Sequence, residues 1–354
     1  MFVTIDSQLL QQFTARVFRA CGAPDAEAVI VAGHLVTANL MGYDTHGVIR
    51  IPQYLDDVQN GTIVPGAPIT IHHDTETTAV VDCGWNFGQV GGQRAIDIAV
   101  DKARRHHVST VVTRRSNHAG RIGTYTQRAA NEGMLALAVC NSPIHGHFVL
   151  PWGGTEGRLA TNPISFAFPG NAAGPILADF STAESSEGAI RLHRNQGKEV
   201  PTGWIVNSSG APTRNPDDFY GPPPGAILPF GGSKGYRGFA LSVLVEVLGG
   251  ILGGSSTLAK QPGNGLGFIV VDIGAFLPRE QFDTLVHEMR DYIKSSPIAP
   301  GHEEVFMPGE PDYRKMERHL CEGIAIDQNT WEQIAEAARA MGIDSPKVTP
   351  SAGA

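Results

Sequence analysis

The sequence predicts a mixed α/β (α+β) fold, in which helices from both ends of the chain accompany a central mixed β-sheet. Three observations support this prediction. Apolar residues recur at helical spacing near both ends, short apolar runs rich in β-branched residues fill the centre, and helical stretches lie between some of those runs. We therefore expect a helical domain from residues 1–72 and 305–345, a mixed-sheet domain from residues 73–304, and a disordered tail over residues 346–354.

The N-terminal region carries start and stop signals for two helices. Asp6 or Ser7 can cap the first helix, and Gly22 ends it. A second helix should cover residues 24–40, with Gly42 just beyond its end. The first helix has one apolar stripe at helical spacing, formed by Leu9, Leu10, Phe13, Val17 and Phe18.

The central strands and the later helices follow from similar patterns. Strands are expected at the runs TAVVD, VSTVVT, MLALAVC, PISFAFP, PILADF and GFIVVDI. Further helices are expected at residues 91–106, 125–132, 236–252 and 279–294, and near Pro311 and Thr330. The helix at 236–252 is strongly apolar and should be mostly buried, whereas residues 207–230 should form loops.

Composition limits the class of protein. Of the 354 residues, 42% are hydrophobic and 18% charged, which is typical of a globular chain with a sizeable core. The net charge is −8 and no basic block occurs, so nucleic acid is not an expected partner. No signal peptide is recognisable, and Ser242 and Glu246 interrupt the most apolar stretch, so no membrane span is expected. Four dispersed cysteines without a CxxC pair favour a reduced, cytoplasmic location.

A nucleotide site of the usual kind is not predicted. The G-x-G-x-x-G fingerprint is missing, because Gly263, Gly265 and Gly267 lead into a strand rather than a helix. The segment SNHAGRIG, residues 116–123, is better placed, since it joins the strand VSTVVT to a helix. Small residues at such a turn let backbone N–H groups approach a phosphate, although an ordinary turn between strand and helix has the same composition.

The segment DTHGVIRIPQY, residues 44–54, suggests acid–base chemistry. His46 can exchange a proton near neutral pH, and Arg50 can bind a carboxylate through two parallel hydrogen bonds. Together they suit a 2-oxo acid, whereas a surface turn with a solvated arginine is the simpler interpretation.

Two other chemistries are weighed. The thirteen histidines include no HExxH motif, and we expect no metal site and a structural role for His145, His147 and the paired histidines. The run GGSKG fits G-x-S-x-G, so Ser233 could be the nucleophile of an α/β-hydrolase. The proline-rich segment before it is too broken for the long buried strand which that fold requires.

Taken together, the motifs resemble the malate/L-lactate dehydrogenase family of the second type, whose members reduce 2-oxo acids or related imino acids with NADH or NADPH. The resemblance spans nearly the whole chain. The motifs appear in family order as DTHGVIRIPQY, SNHAGRIG, ATNPISFAFP, PILADFST, LPFGGSKGY with VLVEVLGG, and MPGEP. NFGQVGG and HAGRIG look most similar to the branch of broad-specificity hydroxycarboxylate dehydrogenases.

The resemblance implies a nucleotide domain that is not a Rossmann fold, a helical domain from both chain ends, and a homodimer. It implies His46 with Thr45 as the catalytic pair, His118 as the alternative acid–base residue, and Arg50, Tyr54 and Thr161 at the substrate. The residues that it implies at the cofactor are His118, Ala119, Gly120, Arg121, Ile122, Ser142, Asp179, Phe180, Ser181, Lys234, Pro308, Gly309 and Glu310.

Some positions depart from the family pattern. Thr45 replaces a serine, Ser233 a frequent histidine, and Pro311 a usual arginine. We expect an NAD(P)-dependent 2-hydroxycarboxylate dehydrogenase, with NAD favoured over NADP. Its partners would be a small 2-oxo or 2-hydroxy acid and a second copy of the chain. The alternatives are a serine hydrolase using Ser233 and an imino-acid reductase of the same family.

Overall fold

The architecture is taken from a computed structural model, which describes residues 2–171, 174–254, 258 and 263–351. The described residues form eleven α-helices: α1 Ser7–Ala20, α2 Asp25–Leu40, α3 Ile51–Gln59, α4 Gly88–His106, α5 Gly123–Asn131, α6 Glu187–Asn195, α7 Pro216–Tyr220, α8 Tyr236–Val245, α9 Arg279–Lys294, α10 Glu310–Glu322 and α11 Gln328–Ala340. They also form thirteen strands: β1 Phe2–Ile5, β2 Thr70–Asp74, β3 Thr78–Asp82, β4 Val108–Arg114, β5 Met134–Cys140, β6 Ile164–Asn171, β7 Gly174–Phe180, β8 Ile205–Val206, β9 Pro212–Thr213, β10 Ala226–Ile227, β11 Leu266–Asp272, β12 Ile324–Asp327 and β13 Thr349–Ser351.

The central sheet has seven strands in the order β2-β3-β4-β11-β5-β6-β7. Strands β3 and β4 pair in parallel, and the other neighbours pair antiparallel. The expected mixed sheet is therefore confirmed, and it is not the parallel sheet of a Rossmann domain. Gly265 lies just before β11, and its backbone passes close to the Gly249 carbonyl oxygen. A Cβ at position 265 would collide with that oxygen, so glycine permits the close approach of the two backbone segments.

The two chain ends share one hydrophobic core, as the sequence predicted. Asp6 caps α1 by accepting a hydrogen bond from the Leu9 amide at 2.9 Å. Leu10, Phe13, Val17 and Phe18 of the predicted stripe are buried, while Leu9 is 40% exposed. The Phe13 ring lies 5.7 Å from that of Trp331, which joins α1 to α11. The exact domain limits remain a prediction.

The predicted disordered tail needs correction. Residues 349–351 form strand β13, which pairs antiparallel with β1. The backbone of β1 can accept a second neighbour because β12 covers only one of its edges. The last three residues of the predicted tail lie outside the described residues.

A small third region, not expected from the sequence, lies between β7 and α8. Its sheet has the order β10-β8-β9, and the predicted loop at 207–230 contains β9, α7 and β10. Ile190 of α6 packs into a separate core with Ile205, Phe219 and Ile227. This packing fixes α6 on one side of the candidate site.

The predicted helix at 236–252 is only half buried, which corrects the expectation. After α8 it continues as a π-helical turn, Glu246–Gly250, and a 3₁₀ turn, Ile251–Gly253. Its inner face carries polar groups beside the buried Val245 and Leu248, since Asn162 Nδ2 donates to Glu246 Oε1 at 2.8 Å and to Ser242 Oγ at 3.1 Å. Its outer face is apolar, and we call the exposed residues Leu241, Val243, Leu244, Val247, Ile251 and Leu252 the apolar helix surface.

By length and composition alone, Tyr236–Gly253 is the one helix in the described ranges that could span a membrane. The mean hydropathy of that window is 1.4, and 44% of it is buried in the fold.

Candidate active site

The 44–50 loop lies between α2 and α3 and is held by Asn39. This side chain accepts a hydrogen bond from the Val48 amide at 2.8 Å and donates to Asp44 Oδ1 at 2.7 Å. A Cβ at Gly47 would collide with the Asn39 amide, so glycine permits this close approach. Asn39 is buried although it is polar, and a polar residue among the apolar residues of the second predicted helix was the sequence signal for this role.

His46 and His118 come together although 72 positions separate them. Their rings stack with centroids 5.4 Å apart and planes inclined by 14°. The Tyr54 hydroxyl lies 2.6 Å from His118 Nδ1, and Gln89 Nε2 donates to the same hydroxyl oxygen at 2.7 Å. A hydroxyl that accepts from Gln89 has its one proton left for His118, so we assign the neutral His118 ring a proton on Nε2.

Tyr54, which the resemblance places at the substrate, contacts His118 and Gln89 in the structure. Its side chain is only 1% exposed, and its hydroxyl is bonded to His118 and Gln89. Tyr54 therefore positions His118. Gln89 lies within the NFGQVGG motif, and the sequence alone did not indicate its role.

The histidines of this cluster are held in the neutral state. Burial, with smaller contributions from the charges of Arg50 and Arg121, lowers the pKa of His46 to about 4. Burial also lowers the pKa of His118 well below its usual value, with Arg50, His46 and His34 adding to the effect. The pKa of His34 falls to about 3, again chiefly through burial. A nearby anion would oppose these shifts.

Arg50 is oriented by two neighbours of the same loop. Its Nε donates to the Thr45 carbonyl oxygen at 2.7 Å, and its Nη1 donates to Gln53 Oε1 at 2.8 Å. Nη2 and the second hydrogen of Nη1 are left on the outer edge of the guanidinium. Burial lowers the pKa of Arg50, which is the direction expected for a cation partly removed from water.

The turn SNHAGRIG has the predicted position, but its helix terminus already holds an anion. The Gly123 amide, at the start of α5, donates to Asp179 Oδ2 at 2.7 Å. Ala119 and Ile122 are core residues with 1% and 2% exposure, and Tyr125 donates to the Ala119 carbonyl at 2.6 Å. The protein's own carboxylate therefore occupies the place expected for a phosphate.

Arg121 is the most unusual group in this turn. Its side chain is fully buried, and within the described residues none of its three guanidinium nitrogens has a hydrogen-bond partner. It lies 4.6 Å over the Tyr43 ring, and its Nε is 3.9 Å from Asp179 Oδ2. Since a buried guanidinium without hydrogen bonds is costly, this site suits an additional anion or polar ligand.

Several predicted cofactor residues meet at the carboxyl end of β7. Ser181 Oγ and the Thr182 amide both donate to the Thr161 carbonyl at 3.0 Å. The ring of Phe180 is 40% exposed and lies 6.5 Å from that of Phe230. Ser142 lies beyond β5, where Asn264 Nδ2 donates to its hydroxyl at 3.1 Å.

Lys234 lies in the 3₁₀ turn Gly232–Lys234 and is exposed. The Gly231 and Gly232 amides donate to Glu184 Oε1 at 2.7 Å each, which anchors this turn beside Thr182 and Phe230.

The hydrolase alternative is not supported. Strand β10 has only two residues and ends well before Ser233, whereas a nucleophile elbow needs the serine directly between strand and helix. Among the described residues no histidine is hydrogen-bonded to Ser233.

The Pro308-Gly309-Glu310 turn borders a separate cleft. Gly309 has φ +92° and precedes α10, and the Leu177 amide donates to the Pro308 carbonyl at 3.1 Å. Glu310 accepts from Lys294 Nζ at 2.6 Å. Residues lining the cleft include Gly174, Arg290, Pro308, Glu310 and Tyr313. Helix α10, which follows this turn, is linked to the start of the 44–50 loop, because the hydroxyl of the preceding residue Tyr43 donates to Asp312 Oδ2 at 2.8 Å.

For metals, the described part of the chain contains no group of three or more histidine, cysteine or acidic side chains able to hold an ion.

Comparison with known proteins now identifies the family. The sequence model of the malate/L-lactate dehydrogenase family matches residues 5–335. This chain belongs to that family. The dehydrogenase is 35% identical to malate dehydrogenase of Pyrococcus abyssi, over 98% of this chain and 97% of that protein. It is 35% identical to L-sulfolactate dehydrogenase of Methanocaldococcus jannaschii, over 93% and 94%. It is 30% identical to hydroxycarboxylate dehydrogenase B of Escherichia coli, over 96% and 94%.

Solved structures agree with this assignment. Malate dehydrogenase of Entamoeba histolytica superposes with a TM-score of 0.92 at 26% identity, covering 98% of this chain and all of that one. Sulfolactate dehydrogenase of M. jannaschii gives 0.87 at 32% identity, covering 97% and 98%. The resemblance stated from the motifs is confirmed, and the dehydrogenase is an oxidoreductase of 2-hydroxy acids in an NAD(P)-dependent family.

Proposed function

We propose that this dehydrogenase reduces a small 2-oxo acid reversibly, with Arg50 binding the C1 carboxylate and His46 transferring the proton at the C2 oxygen. The observation that carries the proposal is the stacked pair of His46 and His118 next to the oriented guanidinium of Arg50. Malate and sulfolactate dehydrogenases among the relatives act on acids of this type, as their names state.

Substrate binding and proton transfer are coupled by charge in this proposal. The free His46 ring is neutral at pH 7 and can accept a proton from a 2-hydroxy acid. In the reverse direction, a carboxylate bound at Arg50 opposes the repulsion between Arg50 and His46 and raises the pKa of the histidine. His118, with its Nε2 proton, donates a hydrogen bond to the developing oxyanion, and Thr45 lies beside the acid.

The buried groups also fit a nicotinamide nucleotide. When bound, the nucleotide supplies or accepts the hydride at substrate C2. The Arg121 guanidinium, which has no hydrogen-bond partner among the described residues, suits an anionic part of the nucleotide. The polar groups of Thr161, Ser181 and Lys234 suit its other polar parts. The other residues expected at the cofactor would line or support the nucleotide site through their backbone, a helix cap or a side-chain wall. They are Ala119, Gly120, Ile122, Ser142, Asp179, Phe180, Pro308, Gly309 and Glu310.

We propose NAD rather than NADP as the preferred nucleotide. Pro311 takes the place of an arginine that resembling proteins carry after the PGE turn, which removes one cation able to bind a 2′-phosphate. Glu310 in the same turn binds Lys294 through Oε2, and its other carboxylate oxygen favours a ribose diol over a phosphate.

The proposed assembly is a cytoplasmic homodimer without a nucleic-acid or membrane partner. The apolar helix surface supports it, because Leu244, Ile251 and Leu252 are each more than half exposed in the single chain. All four cysteines are free thiols, as a reducing compartment requires.

The test is a panel of 2-oxo acids with each reduced nucleotide, followed at the nicotinamide absorbance band. Pyruvate, oxaloacetate, 2-oxoglutarate, an aryl pyruvate and a cyclic imino acid cover the substrate classes. We expect turnover with at least one 2-oxo acid, and faster with NADH than with NADPH. Turnover of the imino acid alone would support the imino-acid reductase alternative, and folded protein inactive on the whole panel would refute the proposal.

A further inference from the structure

We propose that Arg191 of α6 binds a second anionic group of the substrate, so that the enzyme favours 2-oxo acids with a carboxylate or sulfonate on C3 over those with an alkyl group there. This inference rests on the proposed function and names the substrate class for the same site.

Helix α6 forms a wall beside the 44–50 loop. A Cβ at Gly188 would lie 3.4 Å from Thr45 Cγ2, so the first turn of the helix lies against the loop. Ser186 caps this end by accepting from the Ala189 amide at 3.3 Å. The fully buried Ile190 anchors the opposite face of the helix in the small core. Arg191 follows Gly188 by three positions, which brings both to the same face.

The Arg191 guanidinium is available to a ligand. Its side chain is 59% exposed, and its Nη2 lies 3.8 Å from Glu187 Oε2, which is too far for a hydrogen bond. The other oxygen of Glu187 accepts from the Tyr220 hydroxyl at 2.9 Å. Glu187 is thus held by Tyr220, and a stronger anion can replace its loose pairing with Arg191.

Arg50 and Arg191 influence each other through their charges. After burial and the opposing effect of Tyr54, the charge of Arg191 lowers the pKa of Arg50, and Glu187 raises it. Two guanidinium groups whose charges repel are both stabilised when a dianion binds to the pair. A monoanion bound at Arg50 stabilises only that one guanidinium.

The chemistry of a three-carbon 2-oxo acid then determines which group reaches α6. The C1 carboxylate is assigned to Arg50 and the C2 oxygen to His46, so only the C3 substituent remains. The wall next to Thr45 is the α6 face that carries Arg191. An anionic C3 substituent therefore meets a cation, whereas a methyl group leaves it solvated.

The test compares pyruvate, oxaloacetate and 3-sulfopyruvate with wild type and Arg191→Gln. The wild type should have a higher kcat/KM for both dianions than for pyruvate. In Arg191→Gln the ratio of oxaloacetate to pyruvate should fall about 10- to 100-fold, the size expected for one charge-assisted hydrogen bond. Arg191→Lys should retain part of the ratio, because the charge remains. Comparing the two dianions separates carboxylate from sulfonate.

Arg214→Gln is the control, since Arg214 lies in the same small third region and pairs with Glu199 at 3.0 Å. Its ratio should stay within about twofold of wild type, as is usual for an exposed ion pair. The role of Arg191 would be overturned by an unchanged ratio in Arg191→Gln, or by a wild type that prefers pyruvate or a cyclic imino acid. Either result would leave the proposed dehydrogenase function in place.

A binding measurement keeps the two proposals apart. Calorimetry with malate and lactate should give a Kd difference in wild type that shrinks in Arg191→Gln. If no acid is turned over but this difference is present, the dehydrogenase proposal fails and the Arg191 site stands. If neither acid shows a Kd that depends on Arg191, the site is wrong whatever the turnover.

Discussion

The Tyr54 hydroxyl lies 2.6 Å from Nδ1 of His118, and this contact joins helix α3 to the turn after strand β4. Gln89 of α4 completes the arrangement by donating to the same hydroxyl at 2.7 Å. The orientation of the His118 ring is therefore set by residues from the helical part and from the sheet part together. This network makes acid–base geometry depend on how the two parts pack.

Tyr54→Phe should lower kcat by about 10- to 100-fold, because a buried unpaired group costs about 1–3 kcal/mol. The substitution leaves His118 Nδ1 and Gln89 Nε2 without their partner. Steady-state kinetics should assign most of the loss to kcat and little to the nucleotide Kd. Tyr292→Phe, at an 81% exposed tyrosine, is the control and should match wild type. A normal kcat in Tyr54→Phe would remove its positioning role.

His46→Ala should depress kcat by about 10²–10⁴-fold while nucleotide binding survives, since that is the usual contribution of a general acid or base. His118→Ala should cost less, because a hydrogen-bond donor is lost but the proton-transfer group remains. Rates and nucleotide Kd values of both variants are the measurement. An almost normal His46→Ala with an inactive His118→Ala would exchange the two roles.

Arg50→Lys should reduce kcat/KM for the 2-oxo acid by an amount equivalent to about 2–5 kcal/mol, because an ammonium cannot reproduce two parallel hydrogen bonds. The nucleotide Kd should barely move. Arg105→Lys, on the exposed side of α4, is the control with unchanged constants. If the nucleotide Kd rises together with KM, Arg50 holds the nucleotide instead, and if neither constant changes, Arg50 is only a surface residue.

The pH profile should reflect the lowered pKa of His46, which is about 4. The ring is neutral above that pH and protonated below it. Oxidation of a 2-hydroxy acid needs the neutral base, so its kcat/KM should be flat from about pH 5 to 8 and decline toward pH 4, since kcat/KM reports the free enzyme. His46→Ala should lack this decline. A limb centred near the ordinary histidine value of about 6.5 would contradict the assignment.

The apolar helix surface should be the dimer interface. Light scattering at micromolar protein should return twice the mass of the chain. Leu244→Glu, at a residue 51% exposed in the single chain, should shift the protein toward monomer by burying a charge in an apolar contact. Leu320→Glu, at a residue 50% exposed on α10, should leave the mass unchanged. A wild type with the mass of one chain would refute the homodimer.

Local patterns were enough to predict most secondary-structure elements. The six strand sequences and the helix at 279–294 occur as predicted, because short-range spacing of apolar residues decides them. The helix at 236–252 was misjudged, since its two polar residues face inward to Asn162 while Leu241, Leu244 and Leu252 are exposed. Hydrophobicity alone does not reveal an inward polar face when the partner lies about 80 residues away.

The sequence by itself determined the family, the mixed fold, and the identity of His46, His118 and Arg50 as candidates, because these depend on motifs within single segments. The tertiary structure alone decided that Tyr54 supports His118, that Asp179 fills the α5 terminus, and that the first turn of α6 lies against Thr45. Each of these relations joins residues from distant segments. Only packing of the helical, sheet and small third regions brings such groups within hydrogen-bond or charge range.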